Sequence, residues 1–186
     1  MLTPDPFQMR LSGTGGQGLI LAGVILADAA IRQGLEVIQT QSYGPEARLG
    51  ASCSEIIFSS REIAYPQVMN PDLLLCLSQE AFQKFSPQMR DGSMIIADHS
   101  CFTESMRPIT GKTKSLPILE TAKRVGSKQI ANVVALGALN AMLNLVSLDA
   151  LKESLMQRVP ERFRELNEAA LLAGNSLIQE AVTQTT

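Results

Sequence analysis

The apolar positions change period twice within the first forty residues. Phe7, Met9 and Leu11 alternate with polar neighbours, which predicts a strand over residues 7–12. Over residues 17–33 the spacing lengthens to three and four, through Leu19, Ala22, Gly23, Leu26, Ala30 and Ile31. That pattern predicts a helix, and Gly34 is a natural stop for it. Residues 35–40 then read as a second strand. A strand, a glycine turn, a helix and a strand form a βαβ unit, with parallel strands and a right-handed crossover expected.

Further on, a polar, glycine-punctuated connection, QTQSYGPEARLGAS, leads into a strand over residues 52–59 that ends on Ile56, Ile57 and Phe58. Connections of this length are often functional. Residues 72–77 are nearly all leucine, which predicts a central strand covered on both faces. A short helix capped by Ser78 follows to Phe85, then a strand over 94–97, with 99–117 expected to be irregular or an edge strand. Residues 129–145 are apolar on nearly every side and predict a buried helix, in which Gly137, Ala138 and Ala141 admit a close neighbour. A short helix over 148–156 comes next, and Pro160 starts a last one, 161–182, with Phe163, Leu166, Ala170, Leu171 and Ile178 on its inward face.

Composition narrows the class. A chain of 186 residues with 45% hydrophobic content buries one sizeable core and is read as a single domain, 1–186. Aromatics are 4% and tryptophan is absent, a composition that suits helices packed on a sheet. The expected fold is a three-layer α/β/α sandwich around a Rossmann-like, mostly parallel or mixed sheet, with a helical C-terminal third. A net charge of -2 without charge runs gives no footprint for nucleic acid or an anionic membrane. The start, MLTPDPFQMR, is unlike a secretory signal, and the longest apolar run, 19–31, is broken by Asp28, so a cytoplasmic location is expected. Cys53, Cys76 and Cys101 are widely spaced and the chain has one histidine, so no metal site or iron–sulfur cluster held by this chain alone is expected.

The candidate chemistry lies in LSGTGGQG. Gly13, Gly15 and Gly18 satisfy G-x-G-x-x-G between a strand and a helix. In such a loop Gly13 permits the sharp turn, Gly15 and Gly16 let an anion approach the backbone, and Gly18 lets the helix pack on the sheet. Amides at the helix start favour negative charge. A Rossmann site for NAD also wants an acidic residue ending the second strand, where this chain has Gln39 and Gln41. Glu36 opens that strand and so lies at the wrong edge, and without a lysine after the glycines the loop is not a P-loop. Anion contact and a purely structural turn both remain open on these residues.

GTGGQG at 13–18 followed by QSYGPEARLGAS at 41–52 resembles the gamma subunit, or gamma domain, of 2-oxoacid:ferredoxin oxidoreductases, most of all the multi-subunit 2-oxoglutarate kind. The similarity continues through EIAYPQVMNPDLLLCLSQEA, NVVALGALNA and LNEAALLAG. The resemblance implies a complex that converts a 2-oxoacid, coenzyme A and oxidised ferredoxin into acyl-CoA, carbon dioxide and reduced ferredoxin. It implies further that thiamine diphosphate and iron–sulfur clusters sit mainly in partner subunits, expected to be alpha, beta and small ferredoxin-like chains, with ferredoxin as acceptor. No side-chain pair in this chain looks catalytic, so it is expected to be inactive alone and to bury a large apolar face against its partners. The residues expected to face coenzyme A or the thiamine diphosphate region are Gly13, Thr14, Gly15, Gly16, Gln17 and Gly18 in the first loop, and Ser42, Tyr43, Gly44, Glu46 and Arg48 in the second. Arg48 suits a phosphate or a substrate carboxylate, unless it and Glu46 merely neutralise each other. Family members often carry paired glycines after this arginine, whereas Leu49 precedes Gly50 here. Two other functions remain: a free-standing Rossmann-like nucleotide-binding protein, and a purely structural assembly subunit.

Smaller candidates are His99, just past a strand end, Cys53 beside the second motif, and the undecided Cys101; Cys76 reads as core. Asn132 and Asn140 must find partners if buried, either inside the chain or at an interface.

Overall fold

The computed structural model describes residues 4–42, 51–102 and 112–183. Six strands form one sheet in the order β2-β3-β1-β4-β5-β6, with β1 Phe7–Thr14, β2 Glu36–Ser42, β3 Ala51–Ser59, β4 Leu73–Cys76, β5 Met94–Asp98 and β6 Lys112–Leu116. The β1/β4, β4/β5 and β5/β6 pairs are parallel, whereas β3 runs antiparallel to both β1 and β2. The sheet is therefore mixed. β1 and β2 point the same way, as a βαβ unit requires, but β3 lies between them. Only the eight residues 43–50 join β2 to β3. A parallel crossover needs a dozen or more, so the chain returns antiparallel.

Six helices flank the sheet: α1 Leu19–Arg32, α2 Gln79–Phe85, α3 Ile118–Val125, α4 Ala131–Leu143, α5 Leu148–Arg158 and α6 Arg164–Thr183. Met9, Leu11, Ile56, Phe58, Leu73, Leu75 and Ile96 bury one sheet face in a core shared with α1, α3, α4, α5 and α6. The alternate residues of the same strands, Cys53, Leu74, Cys76, Ile95 and Ala97, face the other way onto α2, through Ala81, Phe82 and Phe85. Three layers result, with most of the helical mass on one side.

The predicted elements are present with shifted ends. β1 runs on through Gly13 to Thr14, and the region after β5 holds a single helical turn, His99–Cys101, and the edge strand β6. Ser78 caps α2 by accepting from the Ala81 amide at 3.2 Å. Gly34, at φ 84°, ends α1; its amide donates to Ile31 O and that of Leu35 to Ala30 O, the paired bonds of a glycine-terminated helix. Phe163 departs from the predicted inward face of the last helix: it is exposed in the turn before α6, where the Arg162 guanidinium lies 4.7 Å from its ring. It sits outside the regular helix and so outside its periodicity.

α4 is buried all along residues 131–140 and packs against α6 through facing glycines. A Cβ on Gly137 would collide with the Leu171 carbonyl, and one on Gly174 with the Val134 carbonyl. Asn140 is satisfied inside the chain: it donates to Val146 O at 2.9 Å and accepts from the Val146 amide at 3.2 Å, tying down the turn after α4.

Candidate functional site

The carboxyl ends of β1, β2, β4, β5 and β6 lie on one edge of the sheet, and the glycine loop rises from it. Thr14 and Gly13 of β1 pair with Ala51 and Ser52 of β3, and the Ser52 hydroxyl donates to Gly13 O at 3.4 Å. The glycine loop thus stands against the end of the second motif. Ser42 closes β2 opposite Cys53. Tyr43, Gly44, Glu46, Arg48, Leu49 and Gly50 lie outside the described residues.

Each glycine has its own reason to be there. Gly13 lies within β1 and has no positive φ; instead, the Gln17 side-chain oxygen occupies the space a Cβ would take. The turn itself falls at Gly16, φ 90°, and at Gly18, φ 71°, where a side chain would be strained. Gly18 makes room for Asn132 rather than for the sheet, since a Cβ there would sit 2.6 Å from Asn132 Nδ2. Gly15 has no positive φ, and among the described residues nothing lies within 4 Å of its Cβ direction or that of Gly16. The two central glycines face space that no described residue fills.

Two carboxamides hold this loop. Gln17 Oε1 accepts from the Thr14 amide at 2.7 Å, while its Nε2 donates to Leu77 O at 3.1 Å, at the end of β4. Asn132 Nδ2 donates to Gly18 O at 3.1 Å, and Asn132 Oδ1 is buried without a hydrogen-bond partner among the described residues. Sequence reasoning weighed Asn132 without tying it to the glycines, because 114 residues separate it from Gly18. The bond joins the start of α1, which has no side-chain cap and no acid in its first turn, to the first turn of α4, which runs on from a helical turn, Lys128–Ile130, capped by the Ser127 hydroxyl. Their dipoles add positive potential here, in a field that favours an anion.

The structure argues against a dinucleotide site. Because β3 separates them, the end of β2 lies two strand spacings, roughly 9–10 Å, from β1. Gln39 there donates to Ser54 Oγ at 3.0 Å, and Glu36 is at the opposite end of β2. His99 is exposed just past β5. Asp98, beside it, is buried and spent on structure, accepting from the Ser100 and Leu119 amides at 2.9 and 2.8 Å.

All three cysteines are buried in the second-face core. Burial pushes the Cys76 thiol up to about 12, and raises that of Cys101 as well. Neither fits the low-pKa, accessible thiolate of a cluster ligand or nucleophile. The expected result of native-state alkylation at pH 8, read by mass spectrometry, is that Cys76 and Cys101 label only after denaturation. Among the described residues no group of three or more His, Cys, Asp or Glu is placed to hold a metal ion. No helix among them is long and apolar enough to cross a membrane.

With this geometry established, relatives are informative. A family profile for pyruvate ferredoxin/flavodoxin oxidoreductase matches residues 8–177. The chain belongs to this family. It is 39% identical over 176 residues to 2-oxoglutarate synthase subunit KorC of Methanocaldococcus jannaschii, covering 93% of this chain and 94% of that one. Among solved structures it is similar to the gamma subunit of a keto/oxoacid ferredoxin oxidoreductase from Geobacter sulfurreducens, with TM-score 0.79 and 44% identity over 90% of this chain and 95% of that one. A 2-oxoglutarate:ferredoxin oxidoreductase from Magnetococcus marinus, solved with 2-oxoglutarate, coenzyme A and succinyl-CoA bound, gives TM-score 0.86 at 26% identity. The match spans 95% of this chain and 31% of that larger one. The kinship read from the two loop motifs, with gamma subunits of the 2-oxoglutarate kind, is borne out.

Proposed function

We propose that this chain is the gamma subunit of a cytoplasmic 2-oxoglutarate:ferredoxin oxidoreductase, in which it supports assembly and presents the glycine-loop edge to coenzyme A. The complex would decarboxylate 2-oxoglutarate oxidatively to succinyl-CoA, with thiamine diphosphate and iron–sulfur clusters held by alpha, beta and ferredoxin-like partners. The observation that supports the ligand role is the loop's apex: among the described residues nothing fills the space before Gly15 and Gly16, beside the uncapped start of α1. A coenzyme A phosphate is the anion at hand in that reaction.

This chain's contribution is binding and orientation. Its amides and helix dipoles hold an anion, and Arg48 adds a fork of donors from the neighbouring loop. The proton and electron transfers would fall to the partner subunits. Among the described residues the exposed large apolar side chains are distributed over several elements: Leu21 and Ile31 on α1, Tyr65 and Met69 between β3 and β4, Phe163 before α6 and Leu172 on it. Partner contact would therefore draw on several places rather than one apolar stripe.

Arg48→Ala tests the second loop. The expected outcome is an assembled complex with KM for coenzyme A or 2-oxoglutarate raised about tenfold or more, as for loss of one charge-assisted contact. Steady-state kinetics unchanged for both substrates would remove Arg48 from the site.

A further inference from the structure

The four glycines of the loop are glycine for different reasons. Gly13 and Gly18 are glycine because a carboxamide of this same chain takes the place of their Cβ, Gln17 in one case and Asn132 in the other. Gly16 is glycine because of its backbone, a reason Gly18 shares. Gly15 has neither reason among the described residues. A loop braced internally at both ends and bare in the middle has its shape fixed before anything arrives.

We propose that Gln17 and Asn132 are positioning residues that preform the glycine loop for its ligand, Gln17 bracing it on β4 and Asn132 on α4. The proposal rests on the reading of this loop as facing coenzyme A. Both poles of the Gln17 amide are used by backbone groups, at Thr14 N and Leu77 O. Its side chain is thus a strut, although it belongs to a ligand-binding motif by sequence. Asn132 is only 4% exposed and shares Gly18 O with the Ala22 amide, which donates at 3.0 Å in the first turn of α1. Its single bond sets the start of α1 relative to α4. A loop held this way loses little freedom when it binds, so removing a strut moves affinity rather than the chemical step.

Gln17→Leu and Asn132→Leu keep most of the volume and delete the bonds. Hydrogen exchange on the full chain is expected to run about tenfold faster at the hydrogen-bonded amides of Thr14 and Gln17 in each variant, with residues of α6 unchanged. In the assembled complex, KM for coenzyme A rises about tenfold while kcat stays within about twofold. Gln17→Glu keeps the acceptor for Thr14 N–H and loses the donor to Leu77 O, so its exchange is expected to rise only about threefold. That variant carries the test should a leucine variant fail to fold. Wild-type exchange rates in the loop of the folded variants overturn the proposal. Faster exchange with unchanged KM upholds the struts and overturns the loop's ligand role.

Discussion

Gly174→Ala is expected to lower the stability of this chain by about 3 kcal/mol, the upper part of the range for overpacking a close-packed interior. The added Cβ would lie 2.8 Å from the Val134 carbonyl carbon and 3.0 Å from the Ala138 amide nitrogen, besides overlapping the Val134 oxygen. Those neighbours are backbone of α4 and cannot swing aside as a side chain would. α4 and α6 must separate along their length, and α4 is the helix buried on every side. For a chain of this size the loss corresponds to a fall in Tm of about 6–12 °C. Gly34→Ala serves as the control. It sits at φ 84° with nothing within 4 Å of its Cβ direction, so only the backbone penalty of about 1 kcal/mol applies. Thermal unfolding of both variants checks the ranking; equal losses would mean that the α4/α6 contact is looser than these distances.

Much of the fold was legible in the sequence because it depends on local period. The alternation around Met9, the 3.6-residue rhythm from Leu19 and the leucine run at 73–75 each mark an element whatever surrounds it. Strand order was less accessible. The pattern at Ile56, Ile57 and Phe58 reports a buried strand but not which neighbours it joins. The short connection 43–50 held the clue that β3 must turn back. Gly137 signals a close approach among small neighbours, whereas its counterpart Gly174 does not, because one glycine in a helical pattern does not announce what it faces.

The same division holds at the site. The motif located the loop, whereas the reason for each glycine depended on residues distant in sequence, Asn132 above all. Gly13 was expected to make the turn and instead accommodates Gln17; Gly18 was expected to touch the sheet and instead touches α4. Asn132 and Asn140 look alike on the helix, yet one braces the loop and the other seals the turn at Val146.

Gly15→Asp is expected to have the largest effect on function with little effect on folding. The position has ordinary φ and open space, so the fold accommodates a side chain there. Its carboxylate would stand where the anion is expected. Like charges about 5–6 Å apart at an effective dielectric near 20 repel by about 3 kcal/mol, equivalent to a factor of about a hundred in affinity. The helix dipoles that would draw a phosphate would hold this carboxylate in its place, which strengthens the block.

The most direct measurement is therefore the coenzyme A dependence of 2-oxoglutarate-driven ferredoxin reduction by the complex purified through this chain, wild type beside Gly15→Asp. The account predicts recovery of an active complex in both cases, with KM for coenzyme A about a hundredfold higher in the variant. Recovery of the wild-type chain without such activity, or equal KM values in two active complexes, would contradict it.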